Sequence, residues 1–104
     1  MVMINVIASV NVKAGKLSDY LAILKANIPA VRTEKGCIKY VPMVDVDVKL
    51  PSQVLDKNVV TILEKWDSVE ALHAHLVSPH MLDYREKVKT MVESVALKVL
   101  HEVN

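Results

Sequence analysis

Residues 59–84, VVTILEKWDSVEALHAHLVSPHMLDY, change from one periodicity to another within a few positions, and that change sets the fold class. From Val59 to Trp66 successive side chains alternate: Val60, Ile62, Glu64 and Trp66 fall on one face, Val59, Thr61, Leu63 and Lys65 on the other, the period of a strand. Asp67 or Ser68 can cap a helix immediately afterwards, with Glu70 three residues past Asp67 as capping-box partner. At Ser78-Pro79 the hydroxyl can cap a second helical start and the proline can take its first position. The helical region is therefore expected to bend near residue 78 and resume to about Val92.

Working towards the N-terminus, Asp47 to Asn58 has no clean period and contains Pro51, Ser52, Asp56 and Asn58, which suits a surface loop. Ile38 to Val46 reads as a strand with Tyr40 on the Ile38 face and Val41 and Met43 on the other. Pro42 restricts it to a sheet edge or a bulge. Leu17, Leu21, Leu24, Ile28 and Val31 recur at intervals of three and four, an amphipathic helix in which Pro29 predicts a kink or an early end and Gly36 a stop. Val2, Ile4, Val6, Ala8, Val10 and Val12 alternate as a first strand. Val95, Leu97 and Val99 alternate as a last one, ending near Val103.

The order βαββαβ lacks the repeated strand-helix alternation of a long parallel sheet and predicts an α+β, ferredoxin-like domain with a four-stranded antiparallel sheet. Its two helical regions cover one sheet face. Both faces of the strands carry apolar residues, so a homodimer formed sheet on sheet is expected.

Composition narrows the function. A chain of 104 residues, 52% hydrophobic and with 2 glycines, buries one core, and a single domain over residues 1–104 follows. The 13 Lys and Arg residues balance 12 Asp and Glu residues without a basic stripe, which argues against nucleic acid or an anionic membrane as partner. The N-terminal stretch has no signal-peptide pattern, no apolar run approaches the roughly 20 residues of a membrane span, and Cys37 has no partner for an intrachain disulfide. A soluble cytoplasmic protein is the expectation.

The stretch from Glu64 to Tyr84 resembles the central signature of the antibiotic-biosynthesis monooxygenases, nearest to the bacterial quinol monooxygenases among them. Lys13-Ala14-Gly15, Glu34 to Cys37 and Tyr40 to Asp45 extend the likeness over almost the whole chain. The resemblance implies a dimeric α/β barrel and oxygenation of a small aromatic quinol by molecular oxygen, with no flavin, haem or metal cofactor. The substrate would supply the electrons, so the protein must provide a base, donors for the resulting phenolate and a dry pocket.

On that reading His75, His80 and Tyr84 are the candidate catalytic groups, and Trp66, Tyr40, Asn5, Met43 and Met81 the candidate substrate-binding ones. Each has a structural alternative: a core plug for Trp66, a buried hydrogen-bonded or capping role for His75, a place at the bend for His80, and packing for the tyrosines and methionines. His73 is expected to face solvent, and His73-x-His75 does not put two imidazoles on one helical face, so no metal site is expected. Cys37 has no neighbour in sequence that would make it a nucleophile.

Three other functions compete. A haem-degrading branch of the same fold would need an Asn on the first strand and a Trp and a His on the second helix, and the aligned positions hold Ala8, His75 and Arg85. Isomerisation of a small phosphorylated signalling sugar would call for a basic phosphate-binding cluster, which is not evident. A non-catalytic dimer binding a small apolar ligand would show no turnover.

Overall fold

The computed structural model describes residues 2–104. Met1, the first residue of the expected domain, lies outside them. Among the described residues the order is β1 (Ile4–Val12), α1 (Leu17–Arg32), β2 (Cys37–Val44), β3 (Val59–Trp66), α2 (Val69–Leu76), α3 (Pro79–Val88) and β4 (Val92–Leu100). The strands form one antiparallel sheet in the order β2-β3-β1-β4, the ferredoxin-like arrangement.

The alternation read in β3 is realised residue by residue. Val60, Ile62, Glu64 and Trp66 are buried beneath the helices, while Val59, Thr61, Leu63 and Lys65 are half-buried on the opposite face. In register with them, Ile4 pairs with Trp66, Val6 with Glu64, Ala8 with Ile62 and Val10 with Val60. Tyr20, Leu24, Ile28 and Val31 of α1 close the core from above, joined by Leu72, Met81, Tyr84 and Val88. Each fully buried aliphatic side chain stabilises by roughly 1.5–3 kcal/mol, so this single layer of contacts carries the fold.

Several local expectations are corrected. β1 begins at Ile4, not Val2. The buried stripe of α1 runs through Tyr20 instead of Leu17 and Leu21, which are only partly buried, because Tyr20 finds a polar partner inside. Pro29 neither ends nor shortens the helix at once. It removes a single donor, and Ile28 and Val31, both buried, hold that turn against the sheet as far as Arg32. In β2, Cys37 pairs with Trp66 and Lys39 with Lys65, leaving Ile38 as an extra residue. This bulge puts Ile38 out to solvent and separates it from the face of Tyr40, while Pro42 sits, as its missing N–H requires, on an edge strand.

Ser68 rather than Asp67 caps α2: its hydroxyl accepts the Ala71 N–H at 3.1 Å, and Glu70 completes no capping box. The break between α2 and α3 falls at residues 77–78 with Pro79 in the first turn, but Ser78 does not cap with its side chain. Its hydroxyl instead donates to the His75 carbonyl oxygen at 2.8 Å. The second helical region ends at Val88, because Val92 already pairs with Val12, and β4 therefore runs from Val92 to Leu100.

The helices lie over β1, β3 and β2 and leave β4 open. Val95, Leu97 and Val99 share the face of Val10, Ala8 and Val6 yet remain about half exposed. Among the described residues no helix is long and apolar enough to cross a membrane.

Candidate active site

The gap between the uncovered β4 and helix α3 opens into a cavity of about 380 Å³. Ala8, Val10 and Ile62 form its floor, Val95 and Leu97 one wall, and Leu76, Met81 and Val88 the other. Tyr40, Glu64, His75 and Tyr84 bring polar atoms to it, and Arg85 and Lys89 stand at its rim. An apolar chamber with a few convergent polar groups is the usual form of a small-molecule site.

His75 is placed by the short helix α2, which Ser68 caps at one end and which the Ser78 hydroxyl ties off at the His75 carbonyl. Its ring is almost wholly buried. Nδ1 lies 2.8 Å from Oε2 of Glu34, and Nε2 of His80 lies 2.7 Å from the same oxygen and 3.2 Å from the Ser78 hydroxyl. A carboxylate can only accept, so both imidazoles donate to it. The proton on Nδ1 leaves Nε2 of His75 as the lone-pair nitrogen. Among the described residues no fully buried side-chain nitrogen or oxygen lacks a partner. Nε2 makes no hydrogen bond within the protein, so it reaches open space, and the space that His75 borders is the cavity.

Glu34 itself is held by a tight turn after α1, where its N–H donates to Val31 and its carbonyl accepts from Cys37. Gly36 makes this turn possible. Its φ is +86°, its carbonyl accepts the Asp67 N–H at 2.9 Å, and a Cβ at this position would lie 2.5 Å from Asp67 Oδ1 and 2.6 Å from the Ala71 Cβ.

Burial pushes the pKa of His75 below the ordinary imidazole value, opposed by its bond to Glu34. The ring is therefore neutral at pH 7 and available as a base. Behind it, Trp66 packs against the imidazole with ring centroids 4.6 Å apart, and Tyr40 meets it edge-on at 5.6 Å. The indole face suits a ring that becomes positively charged on taking a proton.

Glu64 occupies the buried face of β3. Its Oε1 accepts the Trp66 Nε1–H at 3.0 Å, and burial pushes its pKa up to about 7. The hydroxyls of Tyr20 and Tyr84 share a buried hydrogen bond of 2.5 Å, and burial raises the pKa of both phenols. Tyr40 is fixed by Arg32, which donates to its carbonyl oxygen at 3.0 Å. Its own phenol is raised well above the ordinary value by burial and by Glu64.

The structure brings His75, Tyr84, Tyr40 and Met81 together around one cavity. His80 stands behind them on the far side of Glu34, partly open to solvent. Trp66 is not part of the cavity wall; it is fully buried and backs His75 and Glu64. Asn5 and Met43 belong to the helix-free face of the sheet, Asn5 paired with Lys65 and Met43 with Thr61, and so lie outside the cavity. His73 is exposed as expected, and burial raises the pKa of the Cys37 thiol.

Sequence reasoning missed three contributors: Glu34, Tyr20 and Glu64. Glu64 alone left a signal, as a carboxylate within the apolar face of an alternating strand.

The chain is similar to known proteins along almost its whole length. The sequence profile described as "Antibiotic biosynthesis monooxygenase" matches residues 3–87. A protein of Escherichia coli strain K12 named "Probable quinol monooxygenase YgiN" is 33% identical over 103 residues, covering 94% of this chain and 96% of its own. The structure of Rv0793 from Mycobacterium tuberculosis superimposes with a TM-score of 0.82 at 29% identity, covering 98% of this chain and 96% of that one. PA3566 from Pseudomonas aeruginosa shares the fold, with a TM-score of 0.85 at 20% identity over 100% of this chain and 97% of that one.

Proposed function

Because the chain belongs to the antibiotic biosynthesis monooxygenase family, we propose that it oxidises a quinol or related aromatic hydroquinone with molecular oxygen. It would do so as a cytoplasmic homodimer that uses no flavin, haem or metal. The observation that carries this reading is His75: one ring nitrogen is held by Glu34, and the other, unprotonated, faces an apolar cavity of aromatic dimensions.

A hydroquinone reduces oxygen poorly until it loses a phenolic proton. His75 Nε2 takes that proton, Glu34 and the indole of Trp66 stabilise the imidazolium, and the Tyr84 and Tyr40 hydroxyls are the available donors to the phenolate oxygen. The phenolate then gives one electron to oxygen. The resulting radical pair combines at a neighbouring ring carbon inside the cavity. One oxygen atom is retained and the other leaves as water, so hydroquinone and oxygen give hydroxyquinone and water.

A phosphosugar isomerase would need free cations at the cavity. Arg85 is engaged by the Leu76 carbonyl and Lys89 by Glu86, which favours the quinol reading. Oxygen consumption with a reduced naphthoquinone, measured after dialysis against a chelator, tests it. The proposal expects turnover with formation of a hydroxyquinone. Binding of the ligand without oxygen uptake would leave a non-catalytic binding dimer instead.

A further inference from the structure

We propose that Glu64 is a second proton-transfer group of this site, taking the hydrogen from the ring carbon that has just been oxygenated. The inference rests on the monooxygenase reading and deepens it, since it restricts the substrate to hydroquinones with an unsubstituted carbon beside a hydroxyl.

Glu64 is a carboxyl placed where β3 would otherwise bury an aliphatic side chain. Burying such a group costs several kcal/mol unless it is bonded or used. One bond is present: Oε1 accepts the Trp66 indole N–H, which fixes the carboxyl plane. Oε2 has no partner within the protein. As no fully buried side-chain oxygen among the described residues is unpartnered, Oε2 is open to the cavity that Glu64 borders. His75 borders the same cavity and packs on the same indole that anchors Glu64. Two proton acceptors thus converge on one chamber, and the deprotonation of a phenol occupies only one of them.

The reaction has a use for the second. His75 removes the phenolic proton, and after oxygen adds to the ring carbon it returns that proton to the peroxide, giving a hydroperoxide on a carbon that still bears hydrogen. The carboxylate of Glu64 removes this hydrogen. The C–H electron pair becomes the new C=O bond, the O–O bond breaks, and the departing hydroxide takes the proton from Glu64 and leaves as water. Without a base there, the same adduct expels hydrogen peroxide and yields the simple quinone. Glu64 therefore decides between oxygenation and wasteful oxidation.

The titratable groups around Glu64 are Cys37 and Tyr40 of β2, Glu34 beyond them, and His75 and Tyr84 of the helices. Burial and the negative charge of Glu34 raise its pKa, while the Trp66 N–H lowers it. It therefore exchanges protons near neutral pH, as the step needs.

The test compares the parent protein with Glu64→Gln, which keeps an oxygen for Trp66 but cannot take up a proton. Hydroxyquinone, hydrogen peroxide and oxygen uptake are measured with a reduced naphthoquinone. The proposal expects hydroxyquinone formed per oxygen consumed at least about tenfold lower than in the parent, with hydrogen peroxide making up the difference. Unchanged product partition would overturn the role of Glu64 while leaving the monooxygenase reading intact. A parent protein inert towards the hydroquinone would overturn both. If Glu64→Gln does not fold, Trp66→Phe serves: it keeps the carboxyl but removes the N–H that favours its charged form. The pH at which hydroxyquinone yield rises must then move upward, and an unmoved inflection would contradict the proposal.

Discussion

Nδ1 of His75 and the carboxylate of Glu34 lie 2.8 Å apart although 41 residues separate them in the chain. The pair joins the turn after α1 to the last turn of α2. It also fixes the imidazole with its unprotonated nitrogen towards the cavity, as the proposed role of His75 as general base requires.

Glu34→Gln removes the charge that stabilises protonated His75 while keeping an oxygen in place. Quinol-dependent oxygen uptake should fall by roughly 10- to 100-fold, since the base is weakened rather than lost. Circular dichroism should remain that of the parent. Parental turnover in a folded variant would mean that Glu34 serves only to satisfy a buried nitrogen.

Glu64 makes stability depend on pH with a definite sign. Its folded pKa of about 7 lies above the ordinary value of 4.5, so the folded state holds the proton more tightly. That advantage is full below pH 4.5 and is lost as pH rises through 7. Glu64→Gln should therefore gain stability relative to the parent between pH 5 and pH 8, by up to about 3 kcal/mol at one pKa unit per 1.36 kcal/mol. Denaturant midpoints at the two pH values measure it, and a difference independent of pH would contradict the burial argument.

Gly36→Ala should destabilise by about 2 kcal/mol or more, because a Cβ at positive φ would also strike Asp67 and Ala71. Gly15→Ala, at a similar φ but facing open space, should cost only about 1 kcal/mol. Thermal melts of the two variants compare them directly. Equal losses would show that backbone conformation alone, not the approach of the β2 turn to α2, matters at residue 36.

Much of this architecture is legible in sequence because it rests on local periodicity. Val59 to Trp66 alternates without interruption, and the strand it predicts has the observed ends. Legibility fails where a distant partner decides the outcome. The bulge at Ile38 arises from pairing with β3, the end of α3 at Val88 from the pairing of Val92 with Val12, and the burial of Tyr20 from the hydroxyl of Tyr84. The site divides the same way. His75 and Tyr84 lie within one continuous motif and could be read together, whereas Glu34 joins them only through the folded turn at Gly36. Asn5 and Met43 stand apart from these groups for a simpler reason: strand parity puts each on the sheet face opposite the helices.

That helix-free face leaves Ile7, Val41, Val59 and Leu63 only half-buried, with Met43 and Leu100 exposed. A homodimer packed through the sheet is the expected consequence. Sedimentation at micromolar concentration should give twice the chain mass, and Leu63→Lys should shift it towards monomer. A parent protein that sediments as a folded monomer would remove the argument.

The central claim is that His75, held by Glu34, deprotonates the substrate, and the pH dependence of oxygen uptake in the parent and in His75→Ala tests it most directly. Because burial lowers the pKa of His75 below 6.5, the parent's kcat/KM should rise with pH through a value under 6.5 and level off above it. His75→Ala, folded by circular dichroism, should be roughly 100-fold slower or worse and should lack that inflection. A folded His75→Ala variant that consumes oxygen at the parental rate with the parental pH profile would contradict the account and place the base elsewhere.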